Sequence, residues 1–163
     1  MTLFRRIDVH PGATAPLPKF WRPKLAPSKQ LACQVIHWDL ITCFTSGKAT
    51  SAELWDWVET GVTYVQMMKL LTADGVDFTE QAVVDLTMQL EITDAVVARH
   101  KATGRVGFNG SELAIARAAA VVMDALITLD RHGIADRAGR WSVEQMRSLR
   151  ATGKSSQGAQ EGK

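Results

Sequence analysis

Cys33 and His37 stand four residues apart, which on a helix sets a thiol and an imidazole on one face. That spacing suits two ligands of a soft metal ion. Asp39 and Cys43 lie nearby in sequence but point to other sides of the helix, and no second pair at ligand spacing completes a four-ligand site. A buried thiol beside a hydrogen-bonded core histidine accounts for the pair, so neither a metal nor any other cofactor is expected. The run Asp130-Arg131-His132-Gly133 combines an acid, two bases and a turn residue. A histidine at a helix C-terminus complements the helix dipole, and an active site there would need a nucleophile that the sequence does not place. His100, between Arg99 and Lys101, has the same electrostatic explanation. The glycines Gly104, Gly107 and Gly110, with Arg105 beside them, precede a helix start where backbone N–H groups can hold an anion. No strand leads into that loop, and the short Val106 to Phe108 stretch suits a connection better than a sheet.

No Walker loop, dinucleotide fingerprint, nucleophile elbow or His-Glu-x-x-His occurs. The absence of a Glu-x-x-His pair argues against a di-iron bundle. No catalytic residue is therefore assigned, and an enzyme built around His37 or His132 ranks third among the functional readings.

The elements that must position these residues are helices. All five prolines fall between Pro11 and Pro27, and proline restricts both itself and its predecessor, so residues 11–27 are expected to be extended. The first helix is expected from about Lys29 to Ser46, with Ser28 as N-cap and Gly47 as its stop. Thr50 and Glu53 form a capping box for a second helix, about Ser51 to Ala73. A third starts after Asp77 or Thr79 and stops at Gly104. A fourth opens at Ser111 and runs to His132. A short fifth starts at Ser142, with Gln145 at capping-box spacing, and fades by Arg150. The fold class is all-α: a bundle of four long helices plus a short C-terminal helix behind an extended arm. In domain terms, 1–28 is a basic, proline-rich arm, 29–150 the bundle and 151–163 a disordered tail. With 163 residues, 46% of them hydrophobic, one core can be filled. No run reaches the length of a membrane span and no signal-peptide core is evident, so a cytoplasmic location and no membrane partner are expected.

Helix faces sharpen the picture. Leu54, Val58, Gly61, Val65, Met68 and Leu71 make one stripe on the second helix, and mid-helix Gly61 suggests a backbone passing closely. The third sets Val83, Leu86, Leu90 and Val97 against Glu80, Thr87, Glu91 and Asp94. The first has two apolar faces, one of Leu31, Val35 and Trp38 and one of Cys33, His37, Leu40 and Phe44. The fourth is alanine-rich and apolar around most of its circumference, apart from a seven-residue repeat of Arg117, Asp124 and Arg131. A helix apolar on two sides is either central in a bundle or half-buried at a subunit interface, so a homodimer is one expectation. Trp38 and Trp57 fit core positions, whereas Trp55 projects away from its helix's main stripe.

Charge is segregated. Residues 1–30 carry net +5, 31–103 net −6 and the remainder net +3, within a total of +2. An arm holding Arg5, Arg6, Phe20, Trp21, Arg22 and Lys24 can bind a protein partner, dock on its own body, or follow a nucleic-acid backbone and stack on bases. With exposed Trp55, these are the candidate partner-binding residues. Arg137, Arg140, Arg147 and Arg150 around the last helix form the alternative, a phosphate-contacting patch for nucleic acid.

The phrases Ala52-Glu53-Leu54-Trp55-Asp56-Trp57-Val58, Arg117-Ala118-Ala119-Ala120 and Asp130-Arg131-His132-Gly133 resemble those of small helical proteins carried on proteobacterial phages, plasmids and integrative elements. The resemblance covers about residues 30–150 and transfers no catalytic residue. It implies a role in binding host machinery, nucleoprotein defence complexes included. The leading expectation is thus a non-enzymatic binding protein that occupies a surface of a host macromolecule. An accessory nucleic-acid-binding regulator is the alternative.

Overall fold

The computed structural model describes residues 24–158, and the helices are α1 (Pro27–Thr45), α2 (Ser51–Ala73), α3 (Glu80–Thr103), α4 (Gly110–Thr128) and α5 (Ile134–Gly158). No strand occurs among the described residues, so the all-α class stands. Most of the expected arm, residues 1–23, and the end of the expected tail, residues 159–163, lie outside the described residues.

Local chemistry sets most boundaries. Thr50 and Glu53 form the expected capping box, Thr79 caps α3, and Gly104 ends α3 at φ +72°. Three starts differ from the sequence reading. α1 opens with Pro27 at its first turn, not behind a Ser28 cap, because the N–H that proline lacks is unpaired there anyway. α4 is capped by Asn109 and Glu112 in a reciprocal box, with the cap two residues ahead of Ser111. α5 begins at Ile134, not Ser142, and its helical backbone continues past Arg150 to Gly158. Ser142 is fully buried mid-helix, where its hydroxyl donates to the Gly139 carbonyl and pairs with Thr63 Oγ1 at 2.6 Å. Its capping-box spacing to Gln145 is therefore incidental.

The fourth helix also ends earlier than expected. Leu129 closes it, and Asp130 to Gly133 form a tight corner with His132 at φ +54° and Gly133 at φ +65°. The Asp130 carboxylate sits inside that corner. It accepts from Ala135 N at 2.8 Å, at the start of α5, and from Leu25 N at 2.7 Å, just ahead of α1.

α2 is the hub and packs on all four other helices, most extensively on α5 and α3, while α4 packs on α3 and α1. One part of the core gathers Tyr64, Met67, Leu71, Leu86, Met123 and Leu126, and another gathers Phe44, Trp57, Val96, Val106 and Ala120. Phe108 from the glycine loop stacks on Phe44 with centroids 4.5 Å apart and meets Trp57 edge-on at 5.3 Å.

On α3 the buried line is Leu86, Gln89, Thr93 and Val96, and Val83 is exposed, so the inward face is rotated from the purely apolar stripe. Gln89 and Thr93 are buried because α2 offers them partners. Gln89 Nε2 donates to the Trp57 carbonyl at 3.2 Å, and Trp57 Nε1 donates to Thr93 Oγ1 at 3.1 Å. Gly61 makes room for this contact. A Cβ there would lie 1.9 Å from Gln89 Oε1, so the close neighbour is a side-chain amide, not a backbone.

Candidate functional site

His37 is fully buried on α1, and its Nε2 lies 2.8 Å from Asp124 Oδ1 on α4. Trp38, the next residue, donates from Nε1 to the other oxygen of Asp124 at 3.0 Å. One carboxylate thus fastens α1 to α4 through two consecutive side chains. Trp38 is half-buried at the rim, not in the core as its spacing suggested. Burial pushes the His37 pKa down, against the upward pull of Asp124, so the neutral imidazole is favoured. Tyr64 meets the imidazole edge-on with centroids 5.7 Å apart, and burial raises its phenol far above the ordinary value.

Cys33 lines a cavity of about 10 Å³ with Thr63, Tyr64 and Met67. That is room for a single water-sized molecule. Burial first, and the nearby Asp130 second, push the Cys33 thiol up, the reverse of what a nucleophilic cysteine needs. His37 and Cys33 therefore form a packed, neutral pair. Among the described residues no group of three His, Cys, Asp or Glu side chains is placed to hold a metal ion.

His132 is taken up by the corner. Its Nε2 lies 4.0 Å from Asp74 Oδ2 at the end of α2. Arg131 holds the same carboxylate, with Nε 2.8 Å from Oδ2, and donates from Nη2 to the Asp74 carbonyl. The glycine loop is likewise occupied by the chain itself. Arg99 donates to the Gly107 carbonyl and pairs with Glu112, whose other oxygen accepts from Asn109 N at 2.8 Å. The start of α4 thus carries its own carboxylate where a phosphate would sit.

Of the partner-binding candidates, Arg5, Arg6, Phe20, Trp21 and Arg22 lie outside the described residues. Lys24 is exposed and donates from Nζ to the Thr128 carbonyl at 2.7 Å, so the arm meets the body beside the end of α4. Trp55 is 40% exposed, and the Arg150 guanidinium lies over its ring, 5.2 Å from the centroid. One residue from each predicted surface thus meets the other. Of the remaining arginines, Arg140 is paired with Asp136 one turn earlier on α5, and Arg137 is half-buried. Arg147 is exposed, with exposed Glu144 between it and Arg140 on the outer side of the helix. These arginines therefore alternate with acids and with Trp55.

A surface that the sequence reading did not single out as a site lies along α1 and α4. Leu31 is 60% exposed, Val35 46% and Val121 60%. Leu31, Val35 and Trp38 share one line of α1 at helical spacing, and Trp38 reaches Asp124, one turn beyond Val121 on α4. The exposed line of α4 continues through Ala114, Arg117, Ala125 and Thr128. The second apolar face of α1 and the broad apolar face of α4 signalled this surface, because α2 fills the one central position in the bundle.

No family model, curated protein or solved structure matches the chain. Among the described residues no helix is long and apolar enough to cross a membrane.

Proposed function

We propose that this chain is a non-enzymatic binding protein of mobile-element type that acts by occupying a surface of a host macromolecule. The observation that carries the reading is the outward-facing apolar side of α1 and α4, where Leu31, Val35 and Val121 stand in solvent. Large exposed aliphatic side chains grouped on one side of a folded unit are characteristic of interaction sites. Lys24, the one described residue of the candidate arm set, is held to the Thr128 carbonyl beside this side. Trp55 is a second anchor, and the net −6 of residues 31–103 favours a basic partner, including a nucleoprotein complex.

A salt-dependent titration tests this reading against the nucleic-acid alternative. The full chain is titrated into a short fluorescent DNA duplex at low and at moderate salt, and anisotropy is read. The reading expects no saturable rise at either salt. Tight binding that weakens steeply with salt would replace it with the nucleic-acid regulator.

A further inference from the structure

The exposed line of α4 is self-complementary about Val121. If two copies of α4 pack antiparallel across a two-fold axis through Val121, residues equally distant on either side face one another. Arg117 then lies across from Ala125 and beside Asp124 of the other copy, and Ala114 faces Thr128. Arg117 is exposed, and the Asp124 side chain retains 31% exposure while its oxygens serve His37 and Trp38. A carboxylate has about four lone-pair sites, so it can accept a guanidinium as well. The two-fold makes the Arg117 and Asp124 pairing occur twice, and it brings the two Val121 side chains together. Small residues at Ala114, Ala118 and Ala125 let the helices approach, while Leu31 and Val35 of each copy flank the contact from α1.

We infer that a second copy of this chain covers the α1–α4 face, through an isologous antiparallel α4–α4 contact centred on Val121 and bracketed by Arg117–Asp124 ion pairs. The inference rests on the reading of this face as an interface but gives it to a second copy, so the host macromolecule meets the dimer on its remaining surface, where Trp55 is 40% exposed. Isologous pairing is the usual form of a homodimer, because each surface need only complement itself.

Sedimentation of the full chain over about 1 to 100 µM reads the result, a range that brackets micromolar dissociation constants. The wild type is expected to shift from monomer to dimer. Val121→Lys, which brings two ammonium groups together at the axis, is expected to stay monomeric throughout. Arg117→Glu, which turns two attractions into two repulsions, is expected to weaken dimerisation about tenfold or more. Both residues are exposed, so far-UV circular dichroism spectra of both variants should match the wild type and exclude unfolding as the cause. A wild type that remains monomeric at the highest concentration overturns the inference, as does a dimer that survives Val121→Lys. Photo-cross-linking from Val35 in the expressing cell separates the two failures. An adduct of some other mass refutes the second copy and leaves the interface reading standing, whereas no adduct removes both.

Discussion

Protonating His37 would place a cation in a site with no exposure, beside the Tyr64 ring and on the Asp124 bond that joins α1 to α4. Because burial lowers its pKa in the folded state below the ordinary value of about 6.5, the unfolded chain binds the proton more readily. The stability owed to neutral His37 is therefore complete above about pH 6.5. It is lost as the pH falls below that value, by up to about 1.4 kcal/mol per pH unit. Melting temperatures are expected to drop between about pH 7.5 and 5.5. His37→Gln should lower stability at pH 7.5 and flatten the slope, and an equally steep slope in that variant would assign the effect elsewhere. Glu112 acts in a lower window. Burial opposes its ionisation, but the Arg99 and Asn109 bonds hold its carboxyl below the usual range. Its contribution is present above about pH 4.5 and is lost as the pH falls through its lowered folded value. Gly61 gives a second test at this scale. Gly61→Ala gains helix propensity worth about 1 kcal/mol, yet drives a methyl into the Gln89 amide. A net loss of about 1 to 3 kcal/mol is expected from denaturant unfolding. Gln89→Ala in the same chain should recover part of that loss. A stabilised Gly61→Ala would show that the amide has somewhere else to go.

Helix ends make the next level of tests. Asn109 and Glu112 start α4 and also hold the glycine loop through Arg99, so Asn109→Ala should cost about 1 kcal/mol in denaturant unfolding. Ser111→Ala, at the position that the sequence favoured, should cost little, and a reversed order would restore the sequence assignment. What could be read from the chain follows from how local each signal is. Thr50 with Glu53, and Gly104 after Thr103, act within a single turn and were legible. The start of α5 was not, because Ile134 begins its helix where Asp130 reaches from a preceding corner to cap Ala135 N. Ser142 shows the converse, a cap-like residue that finds its partner in Thr63 on another helix. The rotated inner face of α3 was hidden for the same reason, since Gln89 and Thr93 become core residues only when Trp57 is beside them. Of the candidate site, exposed Trp55 was legible from its position off the α2 stripe. The exposed line of Leu31, Val35 and Val121 was legible only as surplus apolar face, because which helix takes the central place is decided by packing.

Across the whole molecule, the interior is occupied with holding itself together. His37, His132 and Arg131 are tied to Asp124 or Asp74, the glycine loop is bound by Arg99 and Glu112, and the cavity beside Cys33 has room for no more than one water-sized molecule. The outer surface, by contrast, leaves large apolar groups in solvent. Trp55 contributes to that surface more than to the fold, so Trp55→Ala should weaken binding to a protein partner while the melting temperature changes by only a few degrees. A collapse of helicity would make it a core residue instead. The most direct test of the account is photo-cross-linking in the expressing cell, with a benzophenone amino acid at Val35 on the apolar side or at Gln145, exposed on α5. The account predicts discrete protein adducts from position 35 and few from position 145. Equal labelling from both positions, or none from position 35, would contradict the claim that the α1–α4 face is an interface.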